Sequence, residues 1–275
     1  MVQGGLIMSD SESLQYFLPL LLNKEGEIIA GFSTRCGGVS EGPYSSLNLD
    51  FHTGDDKHNV LRNREIFFSK FGLNPENLVA GNQVHGTRVH VVEENDIGKG
   101  SRPQTALPEC DAMITNIPGP ILTVFSADCW LICFIDSQKK VIAVAHAGWR
   151  GIIKGIVEKV IGVFSDKYKC DPGEVQAAVG PGICFKCFEV GKEVADEFKQ
   201  KGWSDSACLV PQHNSDKYFL NLKEILTRQL LNNGMQESNI EFTNYCTFCR
   251  PDLFYSYRRD GSKTGRILGF ASIKE

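Results

Sequence analysis

The sequence has no long apolar run. A membrane helix needs about 20 consecutive apolar residues, whereas stretches such as residues 18–22 are short, and that one is interrupted by Pro19. The N-terminal region carries Asp10 and Glu12 and lacks a basic segment followed by an apolar core, so no secretory signal is expected. Positive charge is not in excess. The formal net charge is −4 and the pI about 5.9, which argues against a duplex or an anionic membrane surface as partner. Histidine is scarce: His52, His58, His85, His90, His146 and His213 are the only six, too few to build a multicopper oxidase centre readily. No repeat, low-complexity tract or Pro/Gly/Ser linker divides the chain. We therefore expect a single domain over residues 28–275, preceded by an N-terminal extension or first-strand region over 1–27.

Cysteine, in contrast, is plentiful. Ten cysteines are spread through apolar runs of a 275-residue chain with no expected export signal. That pattern fits reduced thiols in the cytoplasm, some buried and a few serving as metal ligands, better than a disulfide framework.

Short apolar runs alternate with amphipathic stretches. Strands are expected over 27–33, 89–93, 121–126, 131–135, 141–145, 175–179, 240–245 and 266–273. Helices are expected over 57–71, opened by Asp55 and Asp56 and stopped by Gly72, and over 150–167, where Ile153, Ile156, Val157, Val160, Ile161 and Phe164 recur at helical steps. Two more are expected over 192–201 and from an Asn221/Glu224 capping pair to near Gly234, and residues 101–110 read as a surface loop. The sum is a mixed α/β chain with one sheet system.

Three segments place a metal-capable side chain beside a strand end or tight turn: Gln83-Val84-His85-Gly86, Ala127-Asp128-Cys129 and His146-Ala147-Gly148-Trp149-Arg150-Gly151. Two imidazoles and one thiolate suit Zn²⁺ and leave a fourth position for water or substrate, the pattern of a catalytic site. Copper would accept the same set. Spacing alone favours the ordinary alternative, since a lone His or Cys at a strand end is usually packed or hydrogen-bonded. Asp128 is a candidate general base or support for a ligating histidine, with a turn or cap as its plainer role. Arg35, in a Gly-rich turn, and Arg150, near a helix N-terminus, are candidate anion ligands, together with Arg258 and Arg259; a solvated or salt-bridged arginine is the plainer reading of each.

Two further pairs, Cys184-Phe185-Lys186-Cys187 and Cys246-Thr247-Phe248-Cys249, would together make a four-cysteine structural zinc site. However, 58 residues separate them, against roughly 15 to 20 in a zinc ribbon. Unliganded thiols are the default reading, and a thioredoxin-like role lacks a clear strand-to-helix context.

Taken together with Ser33-Thr34-Arg35, Gly37-Gly38-Val39-Ser40, Ser46-Leu47-Asn48-Leu49, Gly54-Asp55, Asn63-Arg64, Gly180-Pro181, Phe188-Glu189-Val190 and Tyr255-Ser256-Tyr257-Arg258-Arg259-Asp260, these segments resemble the YfiH family. It is also called the laccase-domain or multicopper-independent polyphenol oxidase family. The likeness runs in order from about residue 28 to the C-terminus. The Cys-x-x-Cys pairs depart from the general family pattern. The resemblance implies a mixed α/β (α+β) fold, a layered αββα sandwich similar to cytotoxic-factor deamidase toxins. It implies that His85, Cys129 and His146 are zinc ligands and catalytic residues. For the chemistry around them, Asp128 is our catalytic candidate for the proton shuttle, and Arg35, Asn48, Arg150 and Arg258 are our candidates for binding substrate or phosphate, Arg35 foremost and Arg258 next.

The activity so implied is phosphorolysis of purine nucleosides (adenosine, inosine, methylthioadenosine) with adenosine deamination. The partners are then nucleosides and phosphate, with no nucleic acid and no membrane, and the chain a monomer or a homodimer. Three rivals stand beside it. One is a copper-dependent polyphenol oxidase. Another is a peptidoglycan-editing hydrolase with Cys129 as nucleophile or zinc ligand. The last is a binding protein with a structural zinc.

Overall fold

The computed structural model describes residues 6–8, 14–23, 26–213 and 215–274. Its strands are β1 (Leu6–Met8), β2 (Gln15–Phe17), β3 (Ile28–Ser33), β4 (Leu78–Ala80), β5 (Val89–Val91), β6 (Ala112–Thr115), β7 (Ile121–Ser126) and β8 (Trp130–Asp136). They continue with β9 (Val141–Ala147), β10 (Gln176–Val179), β11 (Glu189–Gly191), β12 (Leu209–Pro211), β13 (Lys217–Leu220), β14 (Ile240–Phe242) and β15 (Ile267–Ile273). The α-helices are α1 (Lys57–Ser69), α2 (Trp149–Ile153), α3 (Ile156–Asp166), α4 (Lys192–Gln200), α5 (Leu222–Asn232) and α6 (Tyr257–Asp260).

Strands that are apolar at every position must be covered on both faces, and that requirement organises the fold. In β8, Leu131, Cys133 and Ile135 join a core with Phe32, Leu122, Val124 and Ala271 of other strands. The alternate residues Trp130, Ile132 and Phe134 join a second core with Val157, Val160 and Phe164 of α3 and Ile225 and Leu226 of α5. A third core sets Phe67 and Phe68 of α1 against Ile121, Phe125, Leu268 and Phe270. The result is a four-layer αββα sandwich. One six-stranded sheet runs β1-β2-β3-β15-β7-β4, the other β14-β10-β8-β9-β6-β5, and a small sheet runs β11-β13-β12.

Two features of the topology position the chemically capable side chains. First, β7 and β9 lie close by stacking rather than by pairing. They belong to different sheets, and the chain crosses between the sheets over residues 127–129. Second, β10 and β14 pair in parallel, Val179 opposite Phe242.

The helix expected over 150–167 is two helices. Gly155 takes a left-handed conformation (φ 85°) between α2 and α3, which glycine adopts without a Cβ penalty. The apolar stripe continues through this break, and for that reason its periodicity does not reveal it. The short strands β2, β4, β6, β11, β12 and β13, each of three or four residues, are too brief to show a period and were not expected.

Arg64 of α1 is the largest fully buried side chain. It donates to the carbonyls of Leu49 (2.8 Å) and Gly100 (2.7 Å), and its guanidinium lies 4.2 Å from the centre of the Phe51 ring. Burial lowers its pKa to about 10, so it remains cationic at neutral pH. It ties α1 to both neighbouring loops. Arg64→Ala, which strands these carbonyls and opens a void, should cost about 3 kcal/mol of folding stability. Urea denaturation with an unchanged m-value would show it. A loss well under 1 kcal/mol would mean that water replaces the guanidinium freely.

Candidate metal centre

His85, Cys129 and His146 come from three different parts of the sandwich. His146 lies in β9, paired across to Leu131 of β8. Cys129 lies in the crossing between sheets. His85 lies in the loop between β4 and β5, with a left-handed backbone (φ 57°). One ligand atom from each falls within 4.8 Å of the others, and the two imidazole rings meet edge-on at 4.7 Å between centres. His85 Nδ1 is buried without a hydrogen-bond partner, a costly state for a polar atom unless something unseen satisfies it. The orphaned nitrogen, the thiol and the converging second imidazole fit a metal ion.

Asp111, at the start of β6 and fully buried, holds the arrangement. One of its carboxylate oxygens accepts from His146 Nδ1 (2.8 Å) and the His85 N–H (3.0 Å). The other accepts from the N–H groups of Val84 (3.1 Å) and Gly86 (2.8 Å). Its own carbonyl accepts from the His146 N–H at 2.8 Å. The imidazole is thereby fixed with Nε2 left as the free ligand atom, the carboxylate–histidine–metal arrangement. Sequence reasoning missed Asp111, because a lone aspartate ahead of a four-residue strand carries no pattern.

The neighbouring backbone is equally constrained. Gln83 pairs with the backbone of Phe125 through both ends of its amide, each at 2.8 Å, which seats the His85 loop against β7. Gly148 has to be glycine, because a Cβ there would stand 2.4 Å from His85 Nδ1 and 3.2 Å from Cys129 Sγ.

The electrostatics favour the ligand form of the cysteine. Burial works against a charged Cys129, but the facing His146 charge and hydrogen bonds from both histidines draw its pKa well below that of a free thiol. Burial likewise opposes charge on His146, yet Cys129 and Asp111 hold it more basic than a free imidazole. A thiolate is the species that binds metal.

The trio lies in the wall of a cavity of about 570 Å³, which Asp128, Trp149, Arg150, Phe188, Tyr257 and Arg258 also line. That volume suits a small-molecule site.

With the geometry in place, likeness to known proteins becomes informative. The sequence model of a family described as multi-copper polyphenol oxidoreductase laccase matches residues 29–274. This chain belongs to that family. The purine nucleoside phosphorylase YlmD of Bacillus subtilis is 36% identical over 250 residues, 90% of each chain. The adenosine deaminase RL5, from an unknown prokaryotic organism, is 34% identical over 254 residues, covering 89% of this chain and 94% of its own. The crystal structure of the Bacillus licheniformis hypothetical protein YfiH superposes with a TM-score of 0.89 at 30% identity, covering 96% of this chain and 98% of its own.

The YfiH-family motifs divide into those at the cavity and those that support it. Arg150 and Arg258 line the cavity. Arg150 stacks on Trp149 at 4.2 Å, and its guanidinium has no hydrogen-bond or ion-pair partner among the described residues. Arg258 donates through Nη1 to the Glu189 carbonyl at 2.8 Å. Arg35 and Asn48, expected to bind phosphate or substrate, lie outside the lining. Arg35 is spent on the carbonyls of Ser45 (2.7 and 2.9 Å) and Pro251 (3.0 Å) and stacks on Tyr255. Asn48 is buried, donating to Thr53 and Asp55 (2.9 Å each) and accepting from the Arg266 N–H (3.0 Å).

Asp128 lines the cavity, yet both its carboxylate oxygens are engaged, one by Thr247 Oγ1 (2.6 Å) and one by the Arg258 N–H (2.7 Å). With a left-handed backbone (φ 104°), it works as a clamp that aims Cys129. A proton-shuttling role receives no support from this geometry. Arg259 donates to the carbonyls of Thr247 (2.9 Å), Phe248 (3.0 Å) and Phe254 (2.9 Å).

The family description names several coppers, but only two histidines here converge. His52, His58 and His90 are each held by an aspartate, Asp50, Asp56 and Asp96, and His213 belongs to neither metal-capable cluster among the described residues.

Asp111→Asn keeps the shape but turns one acceptor into a donor that faces either His146 or backbone N–H groups. Affinity for the metal should fall about 10- to 100-fold, read by competition with a chromophoric chelator. Unchanged affinity would mean that Asp111 does not orient the ligands.

Proposed function

We propose that this protein is a zinc-dependent purine nucleoside phosphorylase that also deaminates adenosine. The observation that carries the proposal is the His85/Cys129/His146 centre, with three protein ligands and therefore a coordination position left for a reactant, in the wall of a nucleoside-sized cavity. The relatives named as purine nucleoside phosphorylases and as an adenosine deaminase supply the substrate class. The donor set suits zinc and copper alike; what favours zinc over a multicopper centre is that no second histidine cluster stands among the described residues.

His85, Cys129 and His146 would hold the ion, which when bound supplies Lewis acidity and the means to ionise water near neutral pH. The protein's own residues do the rest. Trp149, Phe188 and Tyr257 offer flat faces to a purine. Arg150, with its guanidinium unspent, and Arg258 offer charge-assisted donors to phosphate. Phosphorolysis needs such cations beside the ribose, because phosphate oxygen forms the new bond to C1′ as the base departs with the electrons of the glycosidic bond. Deamination needs none of them, since water displaces ammonia at C6.

Small molecules are the expected partners. The net charge of −4 gives no electrostatic basis for nucleic-acid binding. Among the described residues no helix is long and apolar enough to cross a membrane, and the ten free thiols favour a reducing compartment, the cytoplasm.

A second reading draws on the same geometry. Cys129, His146 and Asp111 have the order of a nucleophile, base and orienting carboxylate, as a peptidoglycan-editing cysteine hydrolase would use them. Such an enzyme would survive chelation and die on alkylation.

Metal-analysed protein incubated with adenosine should yield adenine and ribose 1-phosphate only when phosphate is present, and inosine with or without it. Cys129→Ala should lose both activities together with the metal of this centre. Full turnover in that variant would sink the proposal, and activity resistant to chelators but not to iodoacetamide would favour the hydrolase. Arg150→Ala should raise the KM for phosphate by about 10-fold or more, the cost of one charge-assisted hydrogen bond, and leave deamination nearly unchanged. Equal damage to both activities would place Arg150 on the nucleoside instead.

A further inference from the structure

The two Cys-x-x-Cys segments take no part in the chemistry above, yet the fold joins them. β10 and β14 are parallel neighbours, Val179 opposite Phe242. Each strand runs on into one of the segments, and the pairing continues beyond the strands, since Gly182 bridges Cys246 in parallel. The two segments are thus brought side by side, Cys184 against Cys246 and Cys187 against Cys249. The sulfurs of Cys184, Cys187, Cys246 and Cys249 all lie within 4.8 Å of one another.

Their spacing discriminates between two chemistries. Cys187 Sγ and Cys249 Sγ are 3.4 Å apart. A disulfide would need about 2.05 Å. Four thiolates each about 2.3 Å from one ion at the centre of a tetrahedron stand roughly 3.8 Å from each other. The observed separations belong to the second case. The Cys184 N–H also donates to Cys246 Sγ at 3.2 Å, a bond that stabilises a thiolate. Among the described residues no carboxylate or imidazole joins the cluster, so the donor set is all sulfur, which selects a thiophilic ion over hard cations.

We propose that Cys184, Cys187, Cys246 and Cys249 bind a second metal ion, a zinc in a closed four-thiolate site that clamps one wall of the cavity. With four protein ligands no position is open to substrate, so the role is structural. The clamp acts on the cavity through short links. Ile183 and Phe188, which flank the first pair, line the cavity. Thr247, inside the second pair, donates to Asp128 at 2.6 Å, and Asp128 precedes Cys129 in the chain. The Ile183 N–H donates to the Asp128 carbonyl at 2.8 Å. Both cysteine turns therefore grip the one residue that aims the catalytic thiolate.

The test counts metals in the full-length protein, purified under reducing conditions, by inductively coupled plasma mass spectrometry. Wild type should hold about two zinc ions per chain, and both Cys129→Ala and the double variant Cys187→Ser/Cys249→Ser about one. Cys129→Ala is decisive even if the double variant fails to fold, because zinc retained there has to sit elsewhere. Cobalt loaded into Cys129→Ala should give the intense sulfur-to-metal absorption of a four-thiolate site. Three outcomes overturn the proposal. The first is metal-free Cys129→Ala with no cobalt spectrum. The second is a metal-free cluster whose intact mass is lowered by disulfide formation. The third is iron in place of zinc. The metal count is independent of the nucleoside reading, since it involves no turnover.

Discussion

The carboxylate of Asp111 is the contact on which the site depends. A buried carboxylate is tolerable only where hydrogen bonds replace its lost hydration, and Asp111 receives four. Burial pushes its pKa up, but His146 and the backbone donors outweigh this and hold it below the usual carboxylate range. Those same bonds set the His85 loop in its left-handed turn and leave His146 with one nitrogen facing the cavity. A single buried charge thus organises a loop of one sheet connection and a strand of the other sheet into one ligand set.

The location of the centre follows from the stacking of the sheets. His146 is on a strand of one sheet, Cys129 is in the crossing from the other, and the His85 loop is pinned to β7 of that second sheet through Gln83. The seam between two sheets is the place where backbone leaves its ladders and side chains from both layers converge. It is also rigid, because the strands on either side are buried on both faces. Precision of this kind is what a site with three ligands and one open position needs.

How far the sequence displays all this varies with the physics of each part. The central strands were legible because unbroken apolar runs bounded by turns have few other fates, and β7 was expected at its observed limits. The break at Gly155 was hidden by an apolar stripe that runs through it. The metal trio became legible through its motifs, since 43 residues lie between His85 and Cys129 and only the folded sandwich closes that gap. Arg35 was harder to read, because a cation in a Gly-rich turn looks the same in sequence whether it faces an anion or, as in this fold, backbone carbonyls. Asp111 was invisible because its role is defined wholly by partners distant in the chain.

The cysteine pairs show most clearly that spacing along the chain does not report proximity in the fold. A zinc ribbon brings its two knuckles together within one local unit, so a short intervening segment is a requirement of that geometry. Here the knuckles are extensions of two parallel strands, and a parallel pair always needs a long crossover. The 58 residues between Cys187 and Cys246 hold β11–β13 and the helices α4 and α5, an ordinary connection on that scale. Distance along the chain was thus evidence about the connection and not about the site. What carries the information is the register of β10 on β14, and that register is set by which strand faces are buried, a property of the whole sandwich.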